Sequence, residues 1–213
     1  MHRWLSRKSE GRYVDLAAVV PSRRARELAT AVDKDPRLVE VILSESLQVV
    51  RFRKGVLIVA HRLGFVMANA GFDQSNVDNQ QGGERVLLLP TDPDGACAAI
   101  KVRLYAHFGV HVGVVINDSF GRPWRKGVVG TALGAAGVPA LLDLGGKPDL
   151  FGRVMRVTVV AVTDEIAAAA SLLMGQADEG LPVVLARGLS WNAPERPVAA
   201  LIRPKEYDLF RQW

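Results

Sequence analysis

Three short blocks carry the residue types best suited to chemistry in this chain. They read Asn69-Ala-Gly-Phe-Asp73-Gln-Ser-Asn76, Ile116-Asn-Asp118-Ser119-Phe-Gly-Arg122 and Met174-Gly-Gln-Ala-Asp-Glu-Gly-Leu181. The first two are acidic, small-residue turns at the ends of apolar strands, and the third is a glycine-punctuated loop closing a buried helix. Carboxylates and amides that leave strands into tight turns are hard oxygen donors, placed where an α/β-type sheet meets a divalent cation and its phosphates. The pattern points to nucleotide-dependent chemistry. Plainer readings stay open on spacing alone. Asp and Asn favour turns by bonding their own backbone, and a glycine-rich stretch such as 175–180 is also an ordinary helix stop.

Other chemistries fit less well. His107 and His111 have the spacing of helix-borne ligands, but Gly109 interrupts the helix between them and no third ligand lies nearby, which disfavours zinc. The single cysteine, Cys97, excludes an intrachain disulfide and suits a reducing cytoplasm. Twenty-seven Lys plus Arg against 22 Asp plus Glu give a net charge of +5, which favours anionic ligands. The basic residues are dispersed rather than gathered in a run, so no nucleic-acid partner is expected. No apolar run approaches the roughly 18 residues of a membrane span, so a soluble, cytoplasmic protein is expected. At 213 residues with 49% hydrophobic and 23% charged residues, the chain can bury a real core.

The elements that must hold these blocks can be read in order. Ser22 caps a helix over 23–32, and Asp35-Pro36 starts another that ends near Ser44. Leu47 to Phe52, Val56 to Ala60 and Phe65 to Asn69 form an antiparallel meander. Asp92-Pro-Asp94-Gly opens an amphipathic helix to about His107, stopped by Gly109. Val110 to Asn117 reads as a buried strand that places Asp118 and Ser119 at its carboxyl end. The small residues of 127–137 let backbones approach each other closely, or let a backbone approach a ligand. Val154 to Val162 is a further strand, Asp164 caps an alanine-rich helix to Met174, and Val183 to Ala186 is a short strand. No repeat or linker divides the chain.

Seven collinear blocks resemble the coenzyme F420-0:L-glutamate ligases, the F420 γ-glutamyl ligase family. They are Ser9-Glu-Gly-Arg12, Asn69 to Val77, Leu88-Leu89-Pro90-Thr-Asp-Pro-Asp94, Asp118 to Gly127, Asp149-Leu-Phe-Gly-Arg153, Asp164-Glu-Ile-Ala-Ala168 and Leu172-Leu-Met-Gly175. The resemblance runs from about Lys8 to Phe210. It implies an α+β fold with mixed, largely antiparallel sheets and packed helices, forming one domain over residues 1–213 and assembling as a homodimer. It implies Mg²⁺ or Mn²⁺ held by Asp73, Asp118 and Ser119, and GTP contacted by Lys8 and Asn76. The loop of Met174, Gly175, Gln176, Gly180 and Leu181 would cover the nucleotide. The implied reaction activates a carboxylate with GTP and adds L-glutamate to coenzyme F420-0 through an acyl phosphate. Positioning and charge neutralisation dominate such chemistry, so no nucleophilic side chain is required. Charge and proximity to Asp118 make Arg122, Arg125 and Lys126 the candidates for holding the acidic substrates.

The chain departs from the family pattern at three places. An N-terminal strand and a nucleotide-contacting loop that the family places first are expected to be missing. Gln176 stands where a Glu ligand is common, and Arg7 stands where a small Ser precedes the lysine. Two alternatives therefore accompany the ligase expectation: a catalytically weakened paralogue that binds nucleotide or deazaflavin, and a metal-dependent phosphohydrolase built on the same acidic turns.

Overall fold

A computed structural model describes residues 12–74 and 84–208. Lys8 and Asn76 lie outside the described residues. The architecture is α+β. Among the described residues every strand pair is antiparallel, in one three-stranded and three two-stranded sheets, and an isolated parallel bridge joins Pro139 to Arg196.

The amino-terminal half forms where local signals place it. In α1 (Arg23–Val32) the Ser22 hydroxyl accepts from the Ala25 N–H, and in α2 (Pro36–Ser44) the Asp35 carboxylate accepts from the Arg37 N–H. These side chains satisfy backbone donors that a helix start leaves without partners. Ala25, Ala29 and Val32 recur at helical spacing, and they are buried with Val39 and Ile42 of α2. The surface they cover is a meander whose central strand supplies Leu57 and Val59. Its strands are β2 (Ser46–Arg53), β3 (Val56–His61) and β4 (Val66–Ala68). Alongside it, β1 (Tyr13–Asp15) pairs with β5 (Arg85–Leu87).

The carboxyl-terminal half is organised by a long hairpin of β6 (Val114–Arg122) and β7 (Arg125–Ala136). Helices α3 (Pro93–Phe108) and α4 (Val162–Met174) pack on β7. The small residues of β7 are what permits this. A Cβ added at Gly130 would stand 2.3 Å from the Ala167 carbonyl oxygen of α4, and one at Gly134 would stand 2.3 Å from the Pro93 backbone. Both helices therefore rest on the strand at backbone contact, over a core that includes Leu89, Cys97, Ile116, Leu133 and Ala167. Gly130→Ala is expected to cost about 3 kcal/mol, because a helix backbone cannot yield as a side-chain tip can. Gly121→Ala, with nothing within 4 Å of the new carbon, should be nearly neutral. Urea unfolding of the two variants measures the difference.

One edge of β7 is finished by carboxylates from outside the strand. Asp164 Oδ1 accepts from the Ala132 N–H at 2.9 Å, and Asp94 Oδ1 accepts from the Ala135 N–H at 2.8 Å and the Val198 N–H at 3.0 Å. Glu195 accepts from the Gly137 N–H just past the strand. These contacts occupy donors that an edge strand would otherwise expose.

Several elements differ from the sequence expectations. Asp118 and Ser119 lie inside β6 rather than at its end, because β7 keeps pairing as far as Arg122 opposite Arg125. Asp164 does not cap α4. The cap position is Ala161 and makes no side-chain hydrogen bond, while Asp164 reaches across to β7. The strand expected over 154–162 shrinks to β9 (Val159–Val160), paired with β8 (Leu142–Asp143), because α4 begins at Val162. Val183 to Ala186 forms no strand, and Val183 and Leu185 are exposed. Helix α3 is not cleanly amphipathic: Cys97 is buried, but Val102, Tyr105 and Phe108 are exposed.

Candidate functional site

Strand β6 gathers the site's polar groups. Asn117 and Asp118 are buried, and Asp118 retains only 3% of its exposure. Asp118 faces Thr131 across the hairpin, Ser119 faces Gly130, and the Ser119 N–H donates to Asp118 Oδ1. A carboxylate so far removed from water requires compensation by hydrogen bonds or cations. Beside it, the Asn117 side-chain amide donates to the Met174 sulfur at 3.7 Å. That contact places the last residue of α4 against the strand that carries Asp118 and Ser119. Two blocks widely separated in sequence thus touch through Asn117 and Met174, while Asp118, the next residue, projects from the other face of the strand.

The loop leaving Met174 begins with a conformation that only glycine adopts readily. Gly175 has φ of 73° and ψ of −179°. A Cβ there would lie 2.0 Å from the Glu179 carboxyl carbon. The Glu179 carboxylate folds back over Gly175, and its Oε2 accepts from the Ala177 N–H at 2.8 Å. Gln176, Gly180 and Leu181 are exposed. Glu179 was not singled out from sequence; its signal is a carboxylate four residues beyond a helix-ending glycine. Gln176 supplies an amide oxygen rather than a carboxylate at the position next to Gly175.

The first block is held by an unusual turn. Asn69, Ala70 and Gly71 take consecutive left-handed conformations, with φ of 51°, 51° and 64°, which for non-glycine residues costs roughly 1–2 kcal/mol each. Asn69 Oδ1 accepts from the Leu57 N–H at 3.2 Å, and Ala70 is buried against the α1–α2 core. The turn delivers Asp73 to β5, where its N–H and C=O bond the Leu87 backbone at 2.9 and 2.8 Å. Asp73 is half-buried. Among the described residues no group of three or more His, Cys, Asp or Glu side chains is placed to hold a metal ion. A cation held by Asp73 or by Asp118 would rest on few protein carboxylates and on phosphate oxygens. That donor set suits Mg²⁺, which is rarely enclosed by protein ligands alone.

Arg122, Arg125 and Lys126 cluster at the β6–β7 turn, where Trp124 has φ of 56°. Arg122 lies opposite Arg125, and its Nη2 donates to the Lys126 carbonyl at 3.4 Å. Arg125 and Lys126 are exposed. A groove of about 640 Å³ runs from this turn to the start of α4, lined by Phe120, Arg122, Val129, Thr131, Asp164 and Glu165 among others. Burial pushes the Asp164 carboxyl above the usual carboxylate range, against the pull of the Ala132 N–H. Burial also pushes the Cys97 thiol up to about 12, so Cys97 is inert as a nucleophile.

Arg12, from the Glu-Gly-Arg block, has a structural role. It donates to the Leu89 carbonyl and pairs with Glu45 at 2.9 Å. Glu45 also meets Arg62 at 3.0 Å and His61 at 3.5 Å. Burial drives the Glu45 carboxyl upward, but His61 and the two guanidinium groups outweigh it and hold the carboxyl down at about 2. The His61 contact is long for a hydrogen bond, so the two arginines carry most of that effect.

The family model described as F420-0:Gamma-glutamyl ligase matches residues 4–188. Curated relatives named Coenzyme F420:L-glutamate ligase are similar along nearly the whole chain. The Methanocaldococcus jannaschii protein is 44% identical over 204 residues, covering 96% of this chain and 80% of the relative. The Methanothermobacter thermautotrophicus protein is 45% identical over 206 residues, with the same coverage of both chains. The Methanopyrus kandleri protein is 46% identical over 209 residues, covering 96% of this chain and 81% of the relative.

Proposed function

We propose, on the premise that this chain belongs to the F420-0:gamma-glutamyl ligase family, that it joins L-glutamate to coenzyme F420-0 using GTP and passing through an acyl phosphate. Ligase activity and a place in F420 biosynthesis come with the family. A cation and phosphate site is inferred from the residues, and GTP and the acyl phosphate are what the family resemblance implies. The observation that carries the inference is the buried Asp118 on β6, next in the strand to Asn117, whose amide meets the Met174 end of the glycine loop. Hard oxygen donors and a loop able to cover phosphates then share one strand.

Asp118 and the Ser119 hydroxyl would hold Mg²⁺ or Mn²⁺, with Asp73 and Gln176 as further oxygen donors. When bound, the cation supplies charge neutralisation at the phosphates. Lys8 and Asn76 would contact GTP, and the loop from Met174 to Leu181 would exclude water from it. The γ-phosphoryl group passes to the substrate carboxylate, and the glutamate amine then attacks the acyl carbon, forming the amide and expelling phosphate. Arg122, Arg125 and Lys126 would attract the acidic substrates to this end of the hairpin.

A homodimer in the cytoplasm completes the proposal. Leu150, Phe151 and Val157 are each more than 90% exposed, and Leu172 is 84% exposed; a second copy of the chain would give such apolar surface a partner. Among the described residues no helix is long and apolar enough to cross a membrane.

Measuring GDP release with each co-substrate omitted in turn tests the function. Release that requires F420-0 and L-glutamate together supports ligation. Phosphate release without glutamate would instead identify a phosphohydrolase, and nucleotide-induced stabilisation with no GDP release would identify a binding paralogue.

A further inference from the structure

We propose that the groove between the β6–β7 turn and the start of α4 is the seat of the incoming amino acid. Its acidic end, Asp164 and Glu165, receives the α-ammonium group, and Arg122 receives a carboxylate. This deepens the ligase function proposed above and rests on it.

The chemistry of the walls matches a zwitterion. A free amino acid such as L-glutamate carries one ammonium and two carboxylates, so its site must offer both signs of charge separated by a short span. The groove does so. Arg122 on β6 and the Asp164–Glu165 pair on α4 line the same cavity of about 640 Å³. Their charges are largely uncommitted. Among the described residues the Arg122 guanidinium makes only the 3.4 Å contact to the Lys126 carbonyl and forms no ion pair. Asp164 commits Oδ1 to the Ala132 N–H, leaving Oδ2 for a ligand. Glu165 is exposed, and its side chain makes no ion pair among the described residues. Arg125 and Lys126 at the turn add positive charge beside the second substrate carboxylate.

Position supports the same assignment. Groove residues Phe120, Gly130 and Thr131 lie next to, or across the hairpin from, Asp118 and Ser119. An amine held there would stand beside the place where the activated carboxylate forms. Phe120 and Val129 give the groove apolar walls, which strengthen charge pairing by lowering the local dielectric. The raised affinity of Asp164 for a proton follows from this burial, and it suits a group facing an ammonium that must become a free amine.

Steady-state kinetics on Arg122→Ala and on the double variant Asp164→Asn with Glu165→Gln tests the assignment. Asn at position 164 retains an oxygen for the Ala132 N–H, so the strand contact survives. The expected result is a KM for L-glutamate raised at least tenfold in both proteins, with the KM for GTP within twofold of the parent and similar melting temperatures. A KM for L-glutamate within twofold of the parent in both would overturn the proposal. Should the double variant unfold, Glu165→Gln alone carries the acidic arm, with the same two outcomes at threefold. Calorimetric titration of L-glutamate reads the groove without turnover. Binding lost in Arg122→Ala sustains the groove even if GDP release shows the parent not to be a ligase, and binding unchanged in Arg122→Ala overturns it.

Discussion

Asp118→Asn is expected to leave a folded protein that releases GDP at least about a hundredfold more slowly, a loss of roughly 3 kcal/mol of transition-state stabilisation. The side chain is almost fully enclosed, and its Oδ1 accepts from the Ser119 N–H. Asparagine keeps that oxygen and removes the charge. Losing a buried charge relieves a desolvation cost, so the melting temperature should stay within a few degrees of the parent. A variant that is stable but inactive separates a cation ligand from a structural acid. Ser119→Ala, which removes a neutral donor, should cost about tenfold on the same argument. Mn²⁺ titration followed by electron paramagnetic resonance checks the cause directly, since Asp118→Asn should weaken the ion's binding. GDP release within threefold of the parent, or unaltered Mn²⁺ affinity, would remove Asp118 from the cation site.

Which parts of this arrangement were legible follows from how local their causes are. Ser22, Asp35-Pro36, Asp92-Pro93 and Gly109 act within one helical turn, and the structure uses each at a helix end as expected. The meander from Ser46 to Ala68 is made of apolar, β-branched runs broken at Gly55 and Gly64, so its order was also readable. Asp118 was misplaced by a few residues because its strand is lengthened by a partner whose sequence, Gly-Val-Val-Gly-Thr-Ala-Leu-Gly, resembles a flexible stretch. Only the close approach of α3 and α4 shows why those positions are small. Asp164 failed for a different reason. An acid in the first turn of a helix has the same sequence signature whether it caps its own helix or reaches a neighbouring strand, and only the tertiary contact with Ala132 distinguishes the two. Glu45 gave no signal, since its partner Arg12 lies 33 residues away. The roles of Asp73 and Gln176 rest on likeness to the family, while the junction of Asn117 with Met174 is a product of the fold.

Replacing Glu45 should produce the largest loss of stability. Its carboxylate is the shared counter-charge for Arg12 and Arg62, whose side chains are 16% and 38% exposed. Removing one member of a buried ionic cluster leaves the others uncompensated, typically at about 3–5 kcal/mol. The partial exposure of Arg62 puts Glu45→Gln near the lower end of that range. The pH dependence identifies the cause. The folded carboxyl sits at about 2 against an ordinary 4.5, so the unfolded chain binds the proton more tightly. The charge therefore stabilises the fold fully above the ordinary value, and its contribution is lost as pH falls from about 4.5 toward 2. Linkage sets that loss at roughly 3 kcal/mol. Urea unfolding of the parent should show this decline on the acid side, and Glu45→Gln should flatten it while lowering stability at neutral pH. A variant of unchanged neutral stability with the same acid slope would show that Arg12 and Arg62 do not depend on Glu45. Since Arg12 also donates to the Leu89 carbonyl and Leu89 packs with Ile116 two residues before Asp118, loss of Glu45 should weaken the support beneath the site as well as the half of the fold in which it sits.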